Sequence, residues 1–88
     1  MKIKKGFVVR EVGGKKYAVA TGDAARSFKG MLGLNDVGAH IFNLMQSHTT
    51  ADEIVKSLLN EYDVEESVVR ADVAHFIDQL RQIDVIEE

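Results

Sequence analysis

Two short segments near the start of the chain have the patterns of β-strands. Residues 7–12 are rich in β-branched side chains, and residues 15–20 alternate polar and apolar positions. Gly13 and Gly14 lie between them, and two glycines readily adopt the positive φ angles of a tight hairpin turn. The pattern therefore predicts a β-hairpin.

A third alternating segment covers residues 27–34, after a short connection at residues 24–26. Apolar side chains lie on one side of it, those of Phe28, Leu32 and Leu34. Gly30 and Gly33 would weaken a strand inside a sheet, but they suit an edge strand that another backbone can approach closely. We therefore expect a third strand with one free edge.

From residue 35 onward the apolar period changes to that of an α-helix. Asn35 is a good N-cap for a first helix ending near residue 46, and residues 50–53 form a capping box that opens a second. A third helix is predicted over residues 65–82, with a core stripe consisting of Val69, Val73, Phe76, Leu80 and Ile83. Three amphipathic helices can cover one face of a small sheet. The order predicts an α+β fold, a small winged helix-turn-helix-like domain with a three-stranded antiparallel sheet followed by three helices.

The length of 88 residues is enough for one domain and too short for two. We therefore interpret residues 1–88 as a single domain. Residues 1–5 are basic and precede the first predicted strand, so we expect them to form a flexible N-terminal segment. Residues 84–88 are expected to form a short extended end.

The composition is that of a globular protein, and it limits the chemistry available to the chain. There is no cysteine, which excludes disulfides, thiolate zinc sites and cysteine nucleophiles. Because the chain must fold on its core alone, it is suited to the reducing cytoplasm, where we expect it. No apolar run approaches the ~18 residues that a membrane span requires, so we expect no membrane partner.

No pattern of residues points to catalysis, a metal or a cofactor. His40, His48 and His75 lack the spacing of a metal-binding motif, and the carboxylates fall on the predicted solvent faces of the second and third helices. The glycines after the hairpin do not match a phosphate-binding loop. We therefore expect a protein that is not an enzyme and that has no catalytic residue, metal or cofactor.

Charge is distributed unevenly, with a net charge of +6 in residues 1–30 and −9 in residues 31–88. A winged helix-turn-helix can bind DNA, but DNA affinity depends mainly on neutralising phosphates. The third predicted helix carries four acidic residues against two arginines. DNA would repel such a helix, so a nucleic-acid partner is disfavoured, and DNA binding is kept only as the weakest alternative function.

The third predicted helix has a second line of residues besides its core stripe. The residues at helical spacing on this face are Arg70, Ala74, Ile77 and Arg81. A small and an apolar residue between two arginines would form a groove wall suited to an acidic, amphipathic peptide. The alternative interpretation is that Ile77 widens the core face and that both arginines pair with nearby acidic residues.

Taken together, the residues resemble the PqqD family, also known as the recognition element of ribosomally synthesised, modified peptides. The resemblance covers nearly the whole chain from Phe7 onward and consists mostly of caps, turns and core positions. The matching residues are Phe28, Gly30, Met31, residues 34–39, Ile41, Phe42, Leu44, Met45, residues 50–55, Leu58, Leu59, residues 61–64, residues 71–73, Phe76 and Leu80.

The resemblance implies that the domain binds the leader segment of a precursor peptide as an added strand, in the cleft between the third strand and the third helix. It also implies that the domain presents this peptide to a modifying enzyme, often a radical S-adenosylmethionine enzyme. We therefore predict a peptide-binding adaptor, with peptide contacts at Ser27, Phe28, Lys29, Gly30, Met31, Leu32, Arg70, Ala74, Ile77 and Arg81.

An alternative function uses the same strand edge. Because an unpaired edge pairs readily with another strand, the domain could be a winged-helix interaction module that forms a homodimer.

Overall fold

The computed structural model describes residues 1–28 and 30–88, except for the side chain of Ser27. Lys29, one of the predicted peptide contacts, lies outside the described residues. In chain order the elements are β1 (Lys2–Ile3), β2 (Phe7–Val12), β3 (Lys15–Ala20), α1 (Ala24–Ser27), β4 (Met31–Leu34), α2 (Asp36–Leu44), α3 (Ala51–Glu61), α4 (Glu66–Gln82) and β5 (Ile86–Glu87).

Strands β2, β3 and β4 form an antiparallel sheet with β3 in the middle. The β2–β3 connection turns at Gly13 and Gly14, whose φ angles are +59° and +80°. Positive φ at both positions is the type I′ geometry that matches the twist of the flanking strands. The predicted hairpin and three-stranded sheet are thus confirmed.

The helices α2 and α3 begin at the predicted caps. The Asn35 side chain accepts a hydrogen bond from the Gly38 N–H at 2.7 Å, and the Thr50 hydroxyl accepts one from the Glu53 N–H at 3.2 Å. Helix α2 contacts all three strands of the sheet, and α3 packs against α4. The largest side chains buried between these layers are those of Ile41, Phe42, Met45, Ile54, Leu58 and Leu80.

The segment before β4 differs from the prediction. Residues predicted as a connection form the short helix α1, which is closed by a hydrogen bond from the Phe28 N–H to the Ala24 carbonyl at 3.0 Å. Gly30 has a φ of +101°, which interrupts extended backbone. The predicted strand over residues 27–34 was therefore too long, because β4 begins only at Met31.

The expectation of a flexible N-terminal segment is wrong. Lys2 and Ile3 form β1, which pairs antiparallel with β5. The Ile3 N–H donates to the Met45 carbonyl at 2.7 Å, and the Lys4 N–H donates to the Val85 carbonyl at 2.9 Å. The Ile3 side chain is 2% exposed. The buried Ile3 side chain and these backbone hydrogen bonds thus hold the segment against the core, although three lysines flank Ile3.

The burial of Ile3 predicts a large effect of truncating its side chain. We expect Ile3→Ala to lower the free energy of unfolding by about 2–4 kcal/mol, because the variant leaves a cavity in the core. Urea denaturation measures this change. Val12→Ala is the matched control, since Val12 is 62% exposed and its truncation should change stability by less than about 0.5 kcal/mol. Equal effects of the two substitutions would contradict the assignment of Ile3 to the core.

Candidate functional site

Strand β4 has one neighbour in its sheet, which is β3. Its other edge is not covered by any strand of the described residues. An uncovered edge presents N–H and C=O groups that can pair with another chain. Which of the four residues direct these groups outward follows from the register of the sheet.

The register is set at the β2–β3 hairpin. In a two-residue type I′ turn the flanking residues, here Val12 and Lys15, form a hydrogen-bonded pair. The same alternation is visible at the other end of the hairpin, where the Thr21 N–H donates to the Gly6 carbonyl at 2.6 Å. Odd-numbered residues of β3 therefore direct their backbone groups toward β2, and even-numbered residues direct theirs toward β4.

The even-numbered residues of β3 fix the orientation of β4. Lys16 and Ala18 stand opposite Leu34 and Leu32. Leu32 and Leu34 therefore direct their N–H and C=O groups toward β3. Because backbone groups alternate along a strand, Met31 and Gly33 direct theirs toward the free edge. We refer to the backbone groups of these two residues as the free edge.

A cleft of about 330 Å³ lies between β4 and the C-terminal part of α4. The residues that line it are Leu32, Gly33, Phe76, Gln79, Leu80, Gln82 and Ile83. Leu80 is fully buried, Leu32 and Phe76 are half-buried, and Ile83 remains 38% exposed. The cleft therefore offers apolar side chains and two side-chain amides directly beside the free edge.

The start of α2 supports one wall of this cleft. A Cβ atom on Gly38 would lie 3.1 Å from the capping oxygen of Asn35 and 3.4 Å from the ring of Phe76. Glycine at this position thus allows α2 to be capped and the Phe76 ring to lie against the same turn. Gly38, which leaves room for the Asn35 cap of α2, therefore also leaves room for the Phe76 ring in the cleft.

The two arginines of the predicted peptide-binding face are engaged with acidic side chains of the same chain. Arg70 donates to Asp52 at 2.7 Å and to Glu66 at 2.8 Å, and Arg81 donates to Glu88 at 3.0 Å. The hydrogen bond from Arg70 and its positive charge lower the pKa of Asp52 below its usual value. These contacts fit the alternative interpretation of the sequence, in which both arginines pair with nearby acidic residues.

The face with the two arginines does not line the cleft. At 100° per residue it lies about 140° from Phe76 and Ile83 around the axis of α4. Ile77 is only 3% exposed and belongs to the core, which corrects the expectation that it forms a groove wall. Ala74 is exposed. The sequence-based prediction that Arg70, Ala74 and Arg81 contact the peptide is tested by reversing both arginines.

The residues predicted around the third strand lie closer to the cleft. Leu32 lines it, Met31 is 61% exposed on the opposite face of the sheet, and Gly30 is exposed just before β4. Phe28 is half-buried against Phe7, with ring centroids 5.4 Å apart in an edge-to-face arrangement. The structure thus brings these residues to the N-terminal end of the free edge.

Comparison with known proteins assigns the family. A family model described as coenzyme PQQ synthesis protein D (PqqD) matches residues 16–86. The chain belongs to the PqqD family. The resemblance seen in the sequence is thereby confirmed. No curated protein matches the chain.

The fold of this PqqD-family chain is similar to that of TbiB1, solved in complex with the TbiA(beta) leader peptide. The two structures superpose with a TM-score of 0.74 and 24% sequence identity, over 99% of this chain and 95% of that chain. At this level of identity the likeness is one of fold. It confirms the predicted small α+β, winged-helix-like domain.

Of the seven residues that line the cleft of this PqqD-family domain, only Leu32 is among the contacts predicted from the sequence; the other six are Gly33, Phe76, Gln79, Leu80, Gln82 and Ile83. Phe76 and Ile83 were placed in the core stripe of the third helix, and the structure leaves both partly exposed. The sequence did contain a pattern that indicates the cleft wall, since the predicted apolar stripe of the third helix continues to Ile83, at the end of α4. It extends past the core and forms the wall of the cleft.

Metal binding and membrane insertion find no support in the geometry of residues 1–28 and 30–88. No group of three or more histidine, aspartate or glutamate side chains in this part of the chain is arranged to hold a metal ion. None of the helices described is both long and apolar enough to cross a bilayer.

Proposed function

We propose that residues 1–88 form a single domain that binds the leader segment of a ribosomally made precursor peptide and presents it to a modifying enzyme. The peptide adds as a strand to β4. The observation that carries this proposal is the free edge, in which Met31 and Gly33 direct unpaired backbone groups to the mouth of an apolar cleft.

In strand addition the free edge and the apolar cleft contribute differently to binding. The N–H and C=O groups of Met31 and Gly33 hydrogen-bond to the peptide backbone and so give affinity that depends little on sequence. Alternate side chains of the added strand point to the same face. One set therefore points into the cleft, where Leu32, Phe76 and Ile83 favour an apolar side chain.

The comparisons support the peptide as the ligand. The chain is a PqqD-family member, and the similar TbiB1 structure contains the TbiA(beta) leader peptide. The domain supplies no catalytic group or cofactor of its own, and the modification is carried out by the partner enzyme, for which the family resemblance favours the radical S-adenosylmethionine type. A cysteine-free chain that folds on its core alone suits such a role in the cytoplasm.

Amide hydrogen exchange tests the mode of binding residue by residue. A ligand is first selected on the immobilised domain from a phage-displayed library of random twelve-residue peptides. On adding the selected peptide, we expect the exchange of the Met31 and Gly33 amides to slow by about tenfold or more, because their N–H groups become hydrogen-bonded. Leu32 is the internal control, since its N–H already faces β3.

The outcomes separate strand addition from its alternatives. Protection confined to α2 and α3 would overturn strand addition at β4. Protection of Met31 and Gly33 without peptide, increasing with protein concentration, would show that a second copy occupies the free edge and would support the homodimer instead.

A further inference from the structure

We propose that the peptide groove continues beyond the N-terminal end of β4 into a second subsite, which binds a carboxylate-bearing residue of the peptide. This inference rests on the proposed function and specifies the ligand further. The subsite is a pocket of about 270 Å³. The residues that line it are Lys4, Lys5, Phe7, Asp23, Ala24, Phe28, Ile83 and Asp84.

Ile83 joins the two parts of the groove. Its side chain lines both the cleft beside the free edge and the second subsite, and it is 38% exposed. An extended ligand that leaves the cleft at the N-terminal end of β4 therefore passes directly over the second subsite. Continuity of apolar surface favours one ligand that spans both.

The second subsite is held in place by close packing. The Phe7 ring is 6% exposed and packs edge-to-face on Phe28, which fixes the apolar floor. Gly6 has a φ of +96°, and a Cβ atom there would lie 2.8 Å from the Cβ of Ala24. Only glycine lets β1, β2 and α1 approach this closely. Any residue other than glycine at position 6 would therefore strain the backbone and disturb the pocket.

Among the described residues that line the second subsite, Lys5 is the one charged side chain without an ion-pair partner. Lys4 lies 3.1 Å from Asp84, and Arg26 lies 3.9 Å from Asp23, so these four side chains largely neutralise one another. Lys5 is exposed and forms no ion pair with any residue in the described ranges. The charged residues that line the second subsite, Lys4, Lys5, Asp23 and Asp84, carry no net charge, but Arg26 beside Asp23 brings the described charges of this region to +1, which a ligand carboxylate would balance.

The distance between the cleft and the second subsite limits how far apart the apolar and the acidic residue lie in the peptide. Phe28 precedes Leu32 by four residues, a separation of at most about 13 Å in extended chain. The carboxylate therefore lies within about four residues of the apolar side chain bound in the cleft. Because antiparallel pairing is slightly more stable than parallel pairing, we expect the carboxylate on the C-terminal side of that apolar residue.

The test compares peptide selection by the wild-type domain, by Lys5→Glu and by Lys15→Glu. Lys15 is the matched control, because it is equally an exposed lysine but lies at the hairpin turn. We expect the wild type and Lys15→Glu to enrich aspartate or glutamate within four residues C-terminal of an apolar position. Lys5→Glu should instead enrich lysine or arginine there, and it should bind a wild-type-selected peptide about five- to tenfold more weakly.

The outcomes distinguish the subsite from the proposed function itself. If selected peptides protect Met31 and Gly33 but show no acidic enrichment, or if Lys5→Glu and Lys15→Glu behave alike, the second subsite is wrong and strand addition stands. If no peptide is enriched, or if none protects the free edge, the proposed function fails and the subsite fails with it. Circular dichroism of both variants confirms that they are folded before the selections are compared.

Discussion

Gly33→Pro should weaken peptide capture strongly while the domain stays folded. The Gly33 N–H faces the free edge, so proline removes a donor that the ligand needs and places its ring where the added strand would lie. Proline is tolerated at an edge whose N–H faces solvent. Losing the hydrogen bond and the close approach together should weaken binding by about tenfold or more.

Two further substitutions in the same strand make this result specific. Gly33→Ala keeps the N–H, and its Cβ would meet no atom within 4 Å, so its affinity should remain near that of the wild type. Leu32→Pro removes an N–H that faces β3 and should destabilise the sheet. Fluorescence anisotropy with a selected, labelled peptide gives the affinities, and urea denaturation gives the stabilities. Equal peptide affinity of Gly33→Pro and Gly33→Ala would contradict strand addition at this edge.

Local chemistry made much of the fold predictable from the sequence. The glycine pair of the hairpin and the caps at Asn35 and Thr50 act through neighbouring backbone groups, so their effects are readable in a few consecutive residues. The pairing of Ile3 with Ile86 joins the two ends of the chain. No local pattern specifies such a pairing, and for this reason the N-terminal segment was wrongly expected to be flexible.

The candidate site was only partly predictable because it depends on the rotation of a helix. The edge character of β4 was predicted from Gly30 and Gly33, of which only Gly33 lies within the strand. The residues of α4 that face this edge depend on how the helix packs against its neighbours. A helical repeat shows that Arg70 and Arg81 share a face, but not that this face meets Asp52 of α3 and the C-terminal Glu88. The partial exposure of Phe76 and Ile83 is likewise a result of packing.

Ile83→Asn should weaken peptide binding and so show whether the cleft, and not the face with the two arginines, determines specificity. Ile83 is an apolar residue at the junction of the cleft and the second subsite, and its burial by a ligand would be lost in the variant. We expect about tenfold weaker peptide binding, because burying an aliphatic side chain contributes on the order of 1.5–3 kcal/mol. Asparagine is uncharged, so the change does not alter the charge balance around Lys5.

Two control variants address other surfaces of the molecule. Val64→Asn is the matched substitution, since Val64 is 46% exposed in the connection between α3 and α4, outside the residues that line the groove. The double reversal of Arg70→Glu with Arg81→Glu should also leave affinity within about twofold, because both guanidinium groups are already paired within the chain. Isothermal titration with one selected peptide compares all three. If the arginine reversal abolished binding and Ile83→Asn did not, α4 would bind the peptide through the face first predicted from the sequence, and the cleft would lose its role.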